Sequence, residues 1–203
     1  MKAILIYIVV FSLLSCGRSK RSDIQNVQSE ITASDAKSKN DSVSTFPIKM
    51  TDLQEKVFEI GSTTHFTDSC SFYFECDCCS GELIFDPDST FYYKDYCVET
   101  ISVAVGLYVI ESNILYLKYS GRWVSKIYNL ENETDTSAID YIMTDTLVTP
   151  VTFRYSPTVC NNRVKLVGLE NEEFAIDTDL DYREAVGLLN QDGFIDRLRN
   201  MKR

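Results

Sequence analysis

The sequence predicts a mainly β protein, an antiparallel barrel or sandwich with a C-terminal α-helix. Three observations lead to this expectation. Short segments rich in aromatic and β-branched residues, several with apolar residues at alternate positions, recur from residue 70 to residue 176. Turn signals separate these segments, and no helical pattern comes between them. From Tyr182 onward the apolar residues instead follow the period of a helix.

A sequence pattern typical of the start of a helix precedes the β region. Thr51-Asp52-Leu53-Gln54 combines capping side chains with a glutamine three positions on. Leu53, Val57 and Ile60 have helical spacing, and Gly61 is a suitable end. We predict a short helix here, with a first β-strand as the alternative.

The cysteine-rich stretch 70–97 opens the β region. Strand side chains alternate between faces, so one parity should point inward: Cys70, Phe72, Phe74, Cys76 and Cys78, followed by Leu83 and Phe85 on the next strand. The segment 86–89, Asp-Pro-Asp-Ser, has the composition of a turn. The chain then returns through Phe91 and Tyr93, which predicts a hairpin that pairs Phe85 with Phe91.

A second hairpin is predicted around the turn Glu111-Ser112-Asn113, between strands at 106–110 and 114–119. Later strands are expected at 124–130, 141–145, 147–155, 163–169 and 174–176. The segment 131–137 is polar and is expected to be an exposed loop.

The C-terminal residues predict one kinked helix or two short ones, because Asp192-Gly193 interrupts the pattern. Its apolar positions are Tyr182, Ala185, Val186, Leu189, Phe194, Ile195, Leu198 and Met201. Asp177-x-Asp179-x-Asp181 lacks the glycine and the distal glutamate of a calcium loop, so we expect these carboxylates to cap the helix.

Within this β pattern, the segments 81–85, 90–93, 106–110 and 115–117 read as a glycine-led strand, an acidic turn, a Thr-Phe strand and a Gly-x-Tyr-x-Ile hairpin. This order resembles small lipocalin-like domains of bacterial envelope lipoproteins. The resemblance implies an up-and-down β-barrel whose interior takes a small apolar ligand. The chain departs from that pattern at Asp88-Ser89-Thr90, where the family has Asp-Gly-Thr, and its cysteines are not part of the pattern.

The N-terminus has the features of an exported, lipid-anchored protein. Residues 3–14 are almost wholly apolar and too short to cross a bilayer comfortably. They end in Leu13-Leu14-Ser15-Cys16, which resembles the lipobox of bacterial lipoproteins. The resemblance implies that residues 1–15 are a signal peptide and that Cys16 carries acyl chains such as palmitate. It places the protein in the bacterial cell envelope, and Gly17 after the cysteine favours the outer membrane.

Residues 16–50 are predicted to be the lipidated cysteine and a flexible tether, and residues 51–203 the folded domain. The stretch 17–45 has no aromatic residue and is dominated by polar side chains, so it cannot bury enough apolar surface to order itself. Arg18, Lys20 and Arg21 would lie against lipid headgroups. We therefore expect the lipid anchor to be the contact with the membrane.

The folded domain is acidic, in a chain whose net charge is −10. An acidic surface repels the phosphate backbone, so the sequence predicts no nucleic-acid partner. A small apolar ligand or an envelope protein remains the expected partner besides the membrane.

Six cysteines remain once Cys16 is set aside, and in an oxidising compartment they are expected to form disulfides. Pairing Phe85 with Phe91 sets Cys79 opposite Cys97, where a bond can form. We predict Cys79–Cys97, with Cys160 bonded to Cys70, Cys76 or Cys78.

The alternative interpretation of the cluster is a soft-metal site in which Cys76, Cys78 and Cys79 offer thiolates to copper or zinc. Copper-stress envelope lipoproteins combine a lipocalin-like domain with a cysteine pair, and the resemblance to them implies a metal-binding stress or sensor lipoprotein. The oxidising location and the single histidine favour disulfides and no cofactor.

The sequence indicates no catalytic constellation. His65 is the single histidine, which removes most Ser/His/Asp schemes. Glu75 and Asp77 beside the cysteines would raise the pKa of a thiol, against thiol-disulfide catalysis. The expected function is therefore non-enzymatic, a binding or structural role in the envelope.

Overall fold

The computed structural model describes residues 47–62, 70–72, 80–97, 99–128 and 141–201. All of them belong to the second of two compact units, residues 41–203. The signal peptide, Cys16 and most of the expected tether lie outside the described residues, as do the segment 131–137, His65, Cys76, Cys78 and Cys79.

The described residues form nine strands, two helices and one 3-10 turn. In chain order they are the turn Met50–Asp52, β1 (Lys56–Ser62), β2 (Ser80–Phe85), β3 (Thr90–Cys97), β4 (Thr100–Glu111), β5 (Ile114–Tyr128), β6 (Tyr141–Leu147), β7 (Val151–Cys160), β8 (Arg163–Gly168), β9 (Glu173–Asp177), α1 (Tyr182–Gln191) and α2 (Phe194–Asn200). Neither helix has the length and apolar character needed to cross a membrane, a finding that covers the described residues alone.

The sheet closes on itself as an eight-stranded antiparallel barrel. Its neighbours follow the order β1, β2, β3, β4, β5, β7, β8, β9, and β9 pairs back with β1. Apart from the inserted β6, each strand pairs with the next along the chain. The predicted up-and-down barrel with a C-terminal helix is therefore confirmed.

β6 and β7 lie end to end along one edge of β5, whose other edge is taken by β4. Leu147 pairs with Arg122 and Val151 with Tyr119, so three residues, 148–150, interrupt an otherwise continuous strand. At this break the Val148 amide donates to the Gly121 carbonyl at 2.8 Å. Gly121 has a φ of 79°, the left-handed region that favours glycine.

The barrel strands carry apolar residues on both faces because they separate two cores. Phe58 and Leu83 point into the barrel, whereas their neighbours Val57 and Ile84 point outward, and all four are at most 1% exposed. The outward residues pack beneath α1 and α2, whose buried side chains are Leu189, Phe194, Ile195 and Leu198.

The two short helices match the expected break. Asp181 caps α1, since its Oδ1 accepts from the amides of Arg183 and Glu184, as predicted for this carboxylate. Gly193, with a φ of 81°, separates α1 from α2.

The helix predicted from residue 51 is wrong, and the alternative of a first strand is correct. The chain makes only the 3-10 turn before entering β1. The spacing of Leu53, Val57 and Ile60 resembled that of a helix because β1 is buried on both faces. A strand of this kind has apolar residues at adjacent positions rather than at alternate ones. The described part of the strand expected at 124–130 is the end of β5, and the strand expected at 147–155 starts later, as β7.

The predicted register of the first hairpin is confirmed, because Phe85 pairs with Phe91. Of the three partners left open for Cys160, the structure has Cys70, with Cα atoms 5.9 Å apart. Cys97 is also disulfide-bonded, to a partner outside the described residues.

Candidate ligand-binding site at the mouth of the barrel

One end of the barrel is filled by the chain that precedes β1. Ile48 and Leu53 are buried in the interior core there. The Ile48 amide donates to Asn113 Oδ1 at 2.9 Å, and the Glu55 amide to the Phe85 carbonyl at 3.0 Å. These contacts fix the segment at the end that carries the β2–β3 and β4–β5 turns, where Ile48 and Leu53 fill part of the barrel interior.

A cavity of about 360 Å³ lies toward the opposite end, and we call it the mouth cavity. Its lining comes from β1, β3, β5, the 148–150 break, β7 and the start of β9: Ile60, Tyr93, Tyr119, Gly121, Trp123, Val148, Thr149, Val151, Phe153, Asn171 and Glu173. The lining is mostly apolar, and Glu173 is the one charged side chain that the described residues contribute to it.

Four aromatic rings form adjoining walls of the mouth cavity. The Tyr93 ring stands at 81° to Tyr119 and at 85° to Trp123, with centroids 6.1 and 5.9 Å apart. Phe153 stands at 88° to Tyr119, with centroids 5.6 Å apart. Edge-to-face contacts of this kind stabilise aromatic pairs and hold each ring in place. The walls are therefore set by the fold itself.

Gly81 on β2 makes room for this arrangement. A Cβ atom at Gly81 would lie 2.6 Å from Ile60 Cγ2 and 3.0 Å from Tyr93 Cε2. Glycine thus permits the Tyr93 ring to pack close to the backbone of β2, where it forms part of the wall.

A small polar cluster faces the rings from the start of β9. The Tyr155 hydroxyl donates to Glu173 Oε2 at 3.1 Å, and Asn171 Nδ2 donates to the same oxygen. Asn171 Oδ1 is buried and has no hydrogen-bond partner among the described residues. The cluster orients the Glu173 carboxylate at the cavity wall.

The tyrosines of the cavity keep their protons. Burial, followed by the charges of Asp95 and Glu173, raises the pKa of Tyr93. Burial also raises the pKa of Tyr119 and, together with the Glu173 carboxylate, that of Tyr155. These side chains therefore act as neutral aromatic surfaces and hydroxyl donors.

The other sequence-predicted site residues do not join this cavity within the described part of the chain. Asp177 pairs with Lys56 at 3.3 Å and Asp179 with Arg163 at 2.6 Å, while Asp181 caps α1. The described residues contain no group of three side chains suited to a metal ion. Cys76, Cys78 and Cys79 lie outside the described residues, so both the metal site and the Cys79–Cys97 bond stay predictions.

Sequence reasoning placed Tyr93 inside the barrel correctly but did not identify the site. Trp123 is the single tryptophan of the chain, and this residue type is a signal that could have pointed to a ligand site. Glu173 gave no signal, because it belongs to an acidic run that reads as solvated surface.

No family model and no curated protein matches the chain. Among solved structures, the chain is similar to a streptavidin-like protein from Bacteroides eggerthii, at 14% identity and a TM-score of 0.51. The match covers 71% of this chain and 93% of that one. At this identity the likeness concerns the fold, and it compares the barrel with a streptavidin-like one rather than with a lipocalin.

Proposed function

We propose that this protein is a non-enzymatic cell-envelope lipoprotein that binds a small, largely apolar ligand in the mouth cavity. The observation that carries the proposal is the aromatic-lined cavity of about 360 Å³ toward one end of the barrel. Ligand sites in proteins are concave, mostly apolar and of roughly 300–1,000 Å³, with few polar groups to orient the ligand.

The rigidity of the lining supports binding. Tyr93, Tyr119, Trp123 and Phe153 brace one another through edge-to-face contacts, so little side-chain freedom remains to be lost when a ligand enters. Preorganisation of this kind increases affinity by reducing the entropic cost of association. The polar cluster at Glu173 supplies the few directional contacts.

A probe that receives energy from tryptophan tests the proposal, because Trp123 is the single tryptophan and lines the cavity. N-phenyl-1-naphthylamine is a neutral aromatic compound that absorbs where tryptophan emits. We expect saturable energy transfer from Trp123 to this probe when it is titrated into the full-length protein.

A matched pair of variants on β7 provides the control. Val151→Phe adds a ring to the lining of the mouth cavity and should abolish the transfer. Val159→Phe adds the same ring at a similarly exposed position of β7, 46% against 44% for Val151, that does not line the cavity. Equal transfer in both variants would place the probe elsewhere and overturn the proposal.

The envelope location of this function is proposed from the lipobox, and the Cys70–Cys160 disulfide supports it, because such bonds persist in oxidising compartments. Acyl chains on Cys16 would anchor the protein durably. We expect labelled palmitate to be incorporated into the wild-type protein but not into the Cys16→Ala variant. This variant should also be absent from the membrane fraction. A labelled Cys16→Ala variant would contradict lipidation at this residue.

A further inference from the structure

The mouth cavity combines aromatic rings with one carboxylate among its described lining residues. Among the described residues that line it, none is a lysine or an arginine. The charge of Glu173 therefore has no cationic side chain beside it in this wall. Two features of the lining bear on the ligand that would balance that charge.

The first feature is the orientation of the rings. Tyr93 meets both Tyr119 and Trp123 at nearly a right angle, so the rings stand as adjoining walls of one space. The face of an aromatic ring carries the negative part of its quadrupole and attracts cations, most strongly for tryptophan. The retained protons of the tyrosines keep these rings neutral, so the attraction comes from the ring faces.

The second feature is the hydrogen bonding of Glu173. Its Oε2 accepts from Tyr155 and Asn171. Its Oε1 accepts no hydrogen bond from the residues that the structure describes. Within the described part of the chain, the carboxylate is thus held by hydrogen bonds to one oxygen alone.

We propose that the ligand of the mouth cavity carries a positive charge, in the form of an alkylammonium group. The ammonium group would lie against the faces of Tyr93 and Trp123, with its charge toward Glu173, and the apolar part would contact Phe153 and Val151. This inference rests on the proposed function and adds to it the chemical class of the ligand. The net charge of −10 also raises the local concentration of cations around the protein.

Two esters of the same shape test the charge alone. Acetylcholine carries a trimethylammonium group, and 3,3-dimethylbutyl acetate has a carbon atom in place of the nitrogen. Isothermal titration calorimetry of the full-length protein should give acetylcholine an affinity about tenfold higher than that of its neutral counterpart, from cation–π contact and the carboxylate together. Added salt should reduce this ratio, because it screens the attraction to Glu173.

Variants assign the preference to the cavity. Glu173→Gln should lower the affinity ratio, whereas Glu172→Gln removes a neighbouring exposed charge and should leave the ratio as it is. Tyr93→Leu removes a ring face and should lower the ratio further than Tyr93→Phe, which keeps one. Melting temperatures of the four variants would show that each is folded.

The outcomes separate this inference from the function on which it rests. Equal affinities for the two esters would overturn the charge preference, as would binding of neither ester by a protein that still transfers energy to N-phenyl-1-naphthylamine. An affinity ratio that is the same in Glu173→Gln and Glu172→Gln would overturn the role of Glu173. Failure of the naphthylamine probe itself would instead overturn the proposed function.

Discussion

At the scale of single residues, the glycines and the capping carboxylate have roles that follow from their contacts. Gly81 lies where any side chain would collide with Ile60 and the Tyr93 ring. Gly187 on α1, in contrast, has no described atom outside its adjacent residues and nearby helix backbone within 4 Å of the position that a Cβ would take. Substitution by alanine should therefore have opposite effects on the stability of the protein at the two sites.

Gly81→Ala is expected to destabilise the protein by about 1–3 kcal/mol, the usual range for overpacking a core. It should also weaken probe binding, because Tyr93 would have to move. Gly187→Ala, on an open face of a helix, should stabilise by up to about 1 kcal/mol. Urea denaturation measures both, and equal effects would contradict the packing described for Gly81.

Asp181 offers a second test at this scale. Its carboxylate accepts from two amides at the start of α1. Asp181→Ala removes this cap and should lower the free energy of unfolding by about 1 kcal/mol. Asp179→Ala removes a carboxylate whose side chain is 90% exposed in its ion pair with Arg163, and should change the free energy of unfolding far less. A larger loss at Asp179 would contradict the capping role.

At the scale of elements, the sequence allowed the hairpins to be predicted, whereas the first strand was only the alternative to a helix. The turns at 86–89 and 111–113 are local signals, and they specify the Phe85–Phe91 register and the β4–β5 hairpin. The assignment of β1 failed because its burial depends on two partners far away in sequence, β9 inside the sheet and α1 outside it. Periodicity in a single segment cannot distinguish a strand buried on both faces from a helix.

The Cys70–Cys160 disulfide ties the segment 70–72 to the end of β7, across 90 residues of chain. In that segment, a Cβ at Gly61 would lie 2.9 Å from the Phe72 ring. Gly61 faces away from the interior because its neighbour Ile60 points inward, so the inward orientation predicted for Phe72 is wrong. Cys160→Ser should lower the free energy of unfolding by about 2–5 kcal/mol. The double variant Cys70→Ser/Cys160→Ser should lose about the same amount, and a second loss of equal size would mean that the two cysteines act independently.

At the scale of the whole molecule, the barrel class could be predicted and the cavity could not. Repeated short strands with turns between them restrict the fold to a sandwich or a barrel. The mouth cavity depends on which end the segment 47–53 fills and on side chains from β1, β3, β5, β7 and β9 that meet only in three dimensions. A single sequence carries no signal for that convergence beyond the inward parity of Tyr93 and the lone Trp123.

The buried tyrosines should also give the whole fold a characteristic loss of stability in alkali. Burial, followed by the charges of Asp86 and Asp88, raises the pKa of Tyr108 to about 12. An unfolded chain releases this proton at its ordinary pKa of 10, so deprotonation favours the unfolded state as the pH rises between those values. Tyr93, Tyr119, Tyr155 and Tyr182 shift in the same direction. Urea denaturation should be measured at pH 9 and pH 11, about one unit below and above the ordinary pKa of tyrosine. The free energy of unfolding should be lower at pH 11. Equal stability at the two pH values would contradict the burial of these hydroxyls.

Binding of a ligand in the mouth cavity is tested most directly by the indole N–H signal of Trp123. As the single tryptophan, Trp123 gives one such signal in a nitrogen–proton correlation spectrum. Titration with benzyl alcohol, a small neutral aromatic compound, should move this signal saturably in the wild-type protein and in Val159→Phe, but not in Val151→Phe. A Trp123 signal that stays in place while other resonances shift would show that the compound binds elsewhere and would contradict the account.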